Sequence, residues 1–157
     1  MKEVYGSIWV HFLVANHFVC ITTNGTIKRN GDAVMGRGNA KQAAICIPGI
    51  PKLLGGYLKK NGNIAGALQV TDHDWPIIIF PVKHNWWEDA DRKLIRKSCA
   101  WLVEEAERNP TNIYHLPRPG CGNGKLNWEK DVKRLISDLP DNVWVHHIDN
   151  VEMNTGE

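Results

Sequence analysis

Short apolar runs alternate with helix-like segments along this chain, and this alternation limits the fold classes that the chain can adopt. The clearest runs are 18–23 (FVCITT), 75–82 (WPIIIFPV), 112–116 (NIYHL) and 143–148 (VWVHHI), which have the length and composition of buried strands. A looser alternation over 64–72 (IAGALQVTD) predicts a further strand. Strands that alternate with helices form α/β sandwiches, so we expect helices on both faces of one sheet.

Helix-like composition fills the intervals between these runs. A helix is predicted from about Gly38 until Pro48 stops it, and a second over the stretch that ends at Asn61-Gly62. Segment 88–108 is amphipathic, with one apolar face formed by Leu94, Ile95, Ser98, Cys99, Leu102 and Ala106. Segment 127–139 is also amphipathic and predicts a last helix, with Asn127 as its N-cap.

Length and composition set the class of protein. A chain of 157 residues can bury a hydrophobic core without disulfide bonds or bound metals, so we expect residues 1–157 to form a single domain. A net charge of +2 does not by itself argue for nucleic-acid binding, and no apolar run is long enough to predict a membrane span. The four cysteines form no C-x-x-C pair, which argues against a zinc knuckle or a disulfide framework and favours a reducing cytoplasm. We expect a cytoplasmic protein without a metal site; its oligomeric state is left open.

Two glycine-rich loops follow predicted strands. The segment 116–128 (LPRPGCGNGKLNW) places three glycines just before a helix-like stretch, and 31–43 (GDAVMGRGNAKQA) is similar. Neither matches a nucleotide fingerprint, because position 41 is Lys rather than Gly and Leu126 follows Lys125 where a P-loop has Ser or Thr. Glycine loops at strand ends can still hold a diphosphate through backbone N–H groups.

Three motifs in this order resemble those of macro domains: VMGRGNA (34–40), FPVKHNWW (80–87) and LPRPGCGNGKLNW (116–128). More narrowly, they resemble the branch that contains the DarG-type DNA ADP-ribosyl glycohydrolases and the terminal ADP-ribose protein glycohydrolase. The resemblance covers about residues 18–136. It implies a three-layer α/β/α sandwich around a mixed sheet, with ADP-ribose bound in a cleft over the strand ends and no cofactor.

The resemblance also assigns the residues that would contact ADP-ribose. The diphosphate would lie on the second loop, at Gly120, Cys121, Gly122, Asn123 and Gly124. The distal ribose would lie against the first loop, at Met35, Gly36 and Gly38. An asparagine before that loop usually touches this ribose; either Asn24 or Asn30 fits, and Asn24 is slightly favoured because it ends a strand. Many macro domains have an adenine-binding Asp near the N-terminus, where this chain has Ser7, followed by Ile8.

Lys83 is the candidate catalytic residue, because it matches the lysine of the FP-x-K motif in the resembled branch. An amine can attack the anomeric carbon of the distal ribose if burial promotes its deprotonation. The alternative interpretation is an ordinary surface lysine at a strand end. The protein-directed member of the branch has an acid where this chain has Gly124, so a nucleobase, and hence modified DNA, is favoured over protein as the target. An ADP-ribose 1″-phosphate phosphatase and a non-catalytic reader remain the rival functions.

Four other residues invite a functional interpretation. Trp86 and Trp87 suit stacking on a base, although one of them could equally be core. His146 and His147 are adjacent on a predicted strand, which sends their rings to opposite faces and argues against a metal shared between them.

Overall fold

The computed structural model describes residues 1–70 and 73–148, and its centre is one six-stranded sheet. The spatial order of the strands is β1-β6-β5-β2-β4-β3. All neighbours are parallel except β3 and β4, which are antiparallel, so the sheet is mixed as expected. The strands are β1 (Lys2–Tyr5), β2 (His17–Thr23), β3 (Gly66–Leu68), β4 (Ile77–Pro81), β5 (Ile113–Pro117) and β6 (Val143–His147).

In the described part of the chain, three α-helices cover the sheet: α1 (Gly38–Cys46), α2 (Ile50–Asn61) and α3 (Arg92–Arg108). Both short helices lie where the sequence predicts them. Helix α3 begins four residues later than predicted, because Asp91 is its N-cap and accepts a hydrogen bond from the Lys93 N–H at 2.9 Å. The apolar face predicted for α3 is the buried one.

The predicted last helix is wrong in type. Its segment forms a π-helical turn, Trp128–Val132, followed by a 3-10 turn, Lys133–Ile136. The carbonyl of Asn127 accepts from both Asp131 and Val132, at 2.9 and 3.2 Å, and the bond to Val132 makes the turn wide. The N-cap prediction is confirmed, since Asn127 Oδ1 accepts from the Lys130 N–H at 2.8 Å.

Other differences lie at the sheet edges. The strand predicted over 64–72 is only Gly66–Leu68, a short edge strand paired with β4 alone, and residues 71 and 72 lie outside the described part of the chain. Strand β1 and the 3-10 turn Ile8–His11 were not predicted. Strand β1 shows no apolar alternation, because three of its four residues are exposed.

Two apolar cores flank the sheet. Helix α3 and the wide turn pack on one face, where Leu102, Tyr114 and Ile136 are fully buried. Helices α1 and α2 pack on the other face, over Ile21 and Ile79. The α/β sandwich with helices on both faces is therefore confirmed. Within the described ranges, no helix has the length and apolar character needed to cross a membrane.

Candidate functional site

A cleft of about 550 Å³ lies at the carboxyl ends of the five parallel strands. The residues after each of these strands reach one edge of the sheet, which is where α/β folds place their ligands. Every residue predicted to contact ADP-ribose lines this cleft, apart from Asn30. Those lining it are Ser7, Ile8, Asn24, Met35, Gly36, Gly38, Lys83, Gly120, Cys121, Gly122, Asn123 and Gly124.

The structure separates the two asparagines that the sequence left open. Asn24 lies in the cleft wall, where its Nδ2 donates to the carbonyl of Val34 at 3.1 Å and its Oδ1 accepts from the Thr26 N–H at 3.0 Å. Asn30 is exposed outside the cleft, and its Oδ1 accepts from the Asp32 N–H at 3.0 Å. Asn24 therefore ties the start of the segment after β2 to Val34 and also lines the cleft.

The first glycine loop connects β2 to α1. A Cβ atom at Gly36 would meet no heavy atom within 4 Å, so the loop leaves open space at the cleft wall. Helix α1 begins at Gly38, and the Asn39 side chain accepts a hydrogen bond from the Thr22 N–H at 2.8 Å, which ties the helix start to β2. The N-terminus of α1 thus lies beside the cleft, where its free N–H groups favour an anion.

The second glycine loop is packed against the segment that precedes α3. Gly120 has φ +75°, and a Cβ there would lie 2.8 Å from Ile95 Cδ1 and 3.0 Å from Ala90 Cβ. A Cβ at Gly124 would lie 2.9 Å from Ala90 Cβ, and the Gly124 carbonyl accepts from the Ala90 N–H at 3.0 Å. The loop is therefore held in one shape by close backbone packing.

Cys121 is half-buried within this loop. Burial raises the pKa of its thiol to about 11. A thiol with this pKa stays protonated near neutral pH and is a poor nucleophile. The residue contributes backbone to the loop rather than a reactive side chain.

Lys83 lies directly after β4 and is only 7% exposed. Its backbone is fixed on both sides: its N–H donates to the Thr23 carbonyl at 3.3 Å, and its carbonyl accepts from Asn63 Nδ2 at 2.8 Å. The Nζ amine is 3.5 Å from the Trp86 carbonyl. The surface-lysine interpretation is therefore excluded, and the side chain borders the cleft.

A second, smaller cavity of about 190 Å³ adjoins Lys83. Lys83, Arg37, Trp86 and Asn123 line both this cavity and the main cleft. Arg37 Nη1 donates to Asn123 Oδ1 at 3.3 Å and so links the two glycine loops. Lys83 thus lies at the boundary between the two cavities.

The two tryptophans form the outer side of the second cavity. Trp86 is 46% exposed and Trp87 is 64% exposed, so neither is a core residue. Their rings meet edge to face, with centroids 5.9 Å apart.

His84 lines neither cavity; its Nε2 lies 2.6 Å from Asp91 Oδ2.

Sequence reasoning missed several residues that line the cleft or the second cavity. Arg37 lies between the two motif glycines, and Lys125 directly follows the second loop, so their positions inside the motifs could have indicated them. Gln42 is one turn into α1, and its Oε1 accepts from Trp9 Nε1 at 3.0 Å. His147 ends β6 and lines the cleft, whereas the sequence analysis considered it only as a partner of His146 for a shared metal.

No family model matches the chain, but solved structures with a similar fold do. A solved structure of the macrodomain of Mycobacterium tuberculosis DarG is 24% identical, with a TM-score of 0.68 over 92% of this chain and 97% of that one. The macrodomain of Thermus aquaticus DarG is 23% identical, with a TM-score of 0.69 over 93% and 97% of the two chains.

Two further relatives are longer proteins from Thermosipho africanus. The structure of DarTG in complex with ADP-ribose gives a TM-score of 0.70 at 18% identity, over 96% of this chain and 42% of that one. A curated DNA ADP-ribosyl transferase–DNA ADP-ribosyl glycohydrolase fusion protein is 28% identical over 75 residues, which are 48% of this chain and 19% of that protein. This chain therefore corresponds to a small part of the fusion protein. The likeness to DarG-type macro domains indicated by the three motifs is confirmed, and the chain has the macro domain fold.

Proposed function

We propose that this protein binds ADP-ribose in the 550 Å³ cleft and hydrolyses it from a modified target, with Lys83 as the nucleophile. The observation that carries the proposal is the position of the Lys83 side chain, which is buried where the cleft meets the second cavity. The names of the relatives agree with it: one is a complex with ADP-ribose, and another is in part a DNA ADP-ribosyl glycohydrolase.

The cleft offers several features that suit a diphosphate. The second glycine loop and the start of α1 present backbone N–H groups, and Lys28 and Arg37 add two cationic side chains to the lining. These groups can balance the negative charge of the diphosphate, so the proposal requires no metal ion in the cleft. The adenosine end would lie towards Ser7 and Ile8, and the distal ribose towards Gly36 and Lys83.

In the proposed reaction the lysine amine is first the nucleophile and is later released by hydrolysis. The Nζ lone pair forms a bond to the anomeric carbon of the distal ribose while the bond to the target breaks, and the target leaves with the bonding electron pair. Loss of a proton from nitrogen and opening of the ribose ring give an imine. Water then adds to the imine carbon, the C–N bond breaks, and free ADP-ribose and the free amine are regenerated.

The second cavity would hold the group to which ADP-ribose is attached. Trp86 and Trp87 offer aromatic surface for a flat base. Glu88 and Asp89 also line the cavity and Asp89 Oδ1 lies 3.8 Å from Lys125 Nζ, so Arg37 is the cation best placed for an adjoining phosphate. The loop has no acid at Gly124, and a side chain there would collide with Ala90. These features support a nucleobase in single-stranded DNA as the target rather than a protein carboxylate.

We also assign the protein to the cytoplasm. The four cysteines are free thiols, which suits a reducing compartment.

The test is release of ADP-ribose from single-stranded DNA that carries it on thymine. We expect the wild-type protein to release it, and Lys83→Ala to be slower by about 1,000-fold or more while still binding ADP-ribose, because the covalent route is lost. Lys60→Ala, which removes an exposed lysine of α2, should behave as wild type.

The remaining outcomes separate the rival functions. Equal turnover by wild type and Lys83→Ala would exclude the lysine mechanism. Binding of ADP-ribose without release from any modified target would leave a reader. Release of phosphate from ADP-ribose 1″-phosphate, with no action on the DNA, would indicate a phosphatase, whose substrate phosphate would then lie near Arg37 and Lys125.

A further inference from the structure

Four histidines meet on the face of the sheet covered by the 3-10 turn Ile8–His11. Three come from neighbouring strands: His17 on β2, His115 on β5 and His146 on β6. His17 Nδ1 lies 2.8 Å from His115 Nε2, and His115 Nδ1 lies 2.8 Å from His146 Nε2. The fourth, His11, stacks on His115 with ring centroids 3.9 Å apart. The cluster was not predicted from the sequence, because its members come from four separate segments.

The positions of the protons in this cluster follow from its one fixed acceptor. The carbonyl of Gly6 can only accept, so the hydrogen bond at 2.9 Å places a proton on His146 Nδ1 and a lone pair on His146 Nε2. With His146 Nε2 as the acceptor, the 2.8 Å hydrogen bond makes His115 Nδ1 the donor, and His115 Nε2 accepts from His17 Nδ1. An ion requires the other tautomer of His115, whose Nε2–H donates to His17 Nδ1, so that His115 Nδ1 and His146 Nε2 both present lone pairs to the ion.

The third nitrogen belongs to His11. One ring nitrogen of each of His11, His115 and His146 lies within 4.8 Å of the other two. Imidazole binds metal ions in its neutral form.

We infer that His11, His115 and His146 bind a divalent transition-metal ion of the kind that prefers imidazole ligands, such as Zn²⁺. Three histidine nitrogens are an established donor set for Zn²⁺, at about 2.0–2.1 Å from the metal. His115 and His146 are buried, whereas His11 is half-buried, so the fourth coordination position lies on the His11 side and is filled by water.

Two adjustments accompany binding. The facing nitrogens of His115 and His146 must separate to about 3 Å or more to fit metal–nitrogen bonds of about 2 Å. The His11 ring must turn out of its stack, because rings only 8° from parallel cannot both point a lone pair at one ion. Among the described residues the His11 side chain makes ring contacts but no hydrogen bond, so this ring can turn while its backbone stays in the 3-10 turn.

The surroundings match those of known metal-binding histidines. Such residues usually donate their second ring N–H to a carbonyl or another acceptor, which fixes the ring. His146 does so to the Gly6 carbonyl, and His115 can do so to His17. A purely hydrogen-bonded chain would need only His17, His115 and His146. A ring nitrogen of His11 within 4.8 Å of those of His115 and His146 is the additional feature that favours the metal.

A bound ion would join the 3-10 turn to β5 and β6. The turn directly follows Gly6 and Ser7, and Gly6, Ser7 and Ile8 line the adenosine end of the cleft. The role is therefore structural, fixing one wall of the cleft. The inference does not depend on the catalytic function proposed for Lys83.

The test is titration of the chelator-treated protein with Co²⁺ and Zn²⁺, followed by calorimetry, visible absorption of Co²⁺ and thermal unfolding. We expect one ion per chain and a higher unfolding midpoint with the ion. His11→Ala should weaken affinity by roughly 100-fold or more, since even loss of a hydrogen-bonding partner outside the ligand set weakens metal affinity 10- to 100-fold. His17→Ala should show that smaller loss.

His73→Ala is the matched control, because His73 is half-buried and contacts Phe12 near the same turn but lies outside the cluster. It should bind the ion as wild type does. The inference is overturned if the wild-type protein binds neither Co²⁺ nor Zn²⁺ up to millimolar concentration. It is equally overturned if His11→Ala binds as tightly as wild type.

Discussion

The two glycine loops of the cleft use the same residue type for different physical reasons. At Gly36, in the first loop, an added Cβ would meet nothing within 4 Å. At Gly120, in the second loop, it would press on Ile95, Ala90 and Leu126 at 2.8 to 3.1 Å. The first loop lacks a side chain where the cleft needs space, whereas the second lacks one where the fold needs close packing.

Because of this difference, substitutions in the two loops should affect different properties. A substitution at Gly36 should change ligand binding with little effect on stability, whereas a substitution at Gly120 should mainly lower the free energy of unfolding. A sequence motif rich in glycine does not distinguish the two cases, because both loops follow a strand and precede a helical segment.

The largest effect is expected at Gly120. Gly120→Ala combines a positive φ of +75° with overpacking against Ile95 and Ala90, and it should lower the free energy of unfolding by about 2–4 kcal/mol. Denaturant unfolding measures this. The control is Gly56→Ala, in α2 with open space at its Cβ, which should be neutral or stabilise by up to about 1 kcal/mol. Equal stability of Gly120→Ala and wild type would remove the contrast between the loops.

The next effect is on ligand binding at Gly36. Gly36→Val should weaken ADP-ribose binding by about 10-fold or more, because the side chain takes up space at the cleft wall, and should change the free energy of unfolding by less than about 0.5 kcal/mol. Calorimetric titration with ADP-ribose, beside denaturant unfolding, measures both. Unchanged affinity would show that the ligand does not approach this loop.

A smaller effect is expected where the loops touch. The hydrogen bond from Arg37 to Asn123 is exposed and 3.3 Å long, so the coupling free energy of the pair should be under about 1 kcal/mol. A double-mutant cycle with Arg37→Ala and Asn123→Ala, read by unfolding, gives this quantity. A coupling of about 2 kcal/mol or more would mean that the two loops form one rigid unit and are not stabilised independently.

The smallest effect is the slow reaction of Cys121. Its pKa, raised to about 11 by burial, keeps the thiol protonated at pH 8, and the thiolate increases only as the pH approaches 11. Iodoacetamide should therefore modify the exposed Cys46 at pH 8 well before Cys121, as read by peptide mass spectrometry. Modification of both at the same rate would show that the second loop opens in solution.

Local signals explain what could be predicted from the sequence. The strand over 18–23, both short helices and the N-cap at Asn127 each depend on a few adjacent residues. The cleft over the strand ends, which the family resemblance implied, lies where the three motifs follow β2, β4 and β5. The preference for Asn24 over Asn30 also came from a local feature, the end of β2.

Contacts between distant segments explain the rest. The wide turn at Trp128–Val132 depends on the Asn127 carbonyl accepting two hydrogen bonds, which composition does not reveal. The second cavity beside Lys83 exists because the loop after β4 meets both glycine loops. The histidine cluster joins residues up to 135 positions apart (from 11 to 146), so no spacing rule could have indicated it.

Chemical trapping of the covalent intermediate at Lys83 tests the proposed lysine mechanism directly. Borohydride added during turnover of thymine-linked ADP-ribose should reduce the imine to a stable secondary amine. We predict that mass spectrometry finds ADP-ribose attached to the peptide that contains Lys83, and not to the exposed Lys125 nearby. Full release of ADP-ribose with no adduct on Lys83 at any time point would contradict the lysine mechanism.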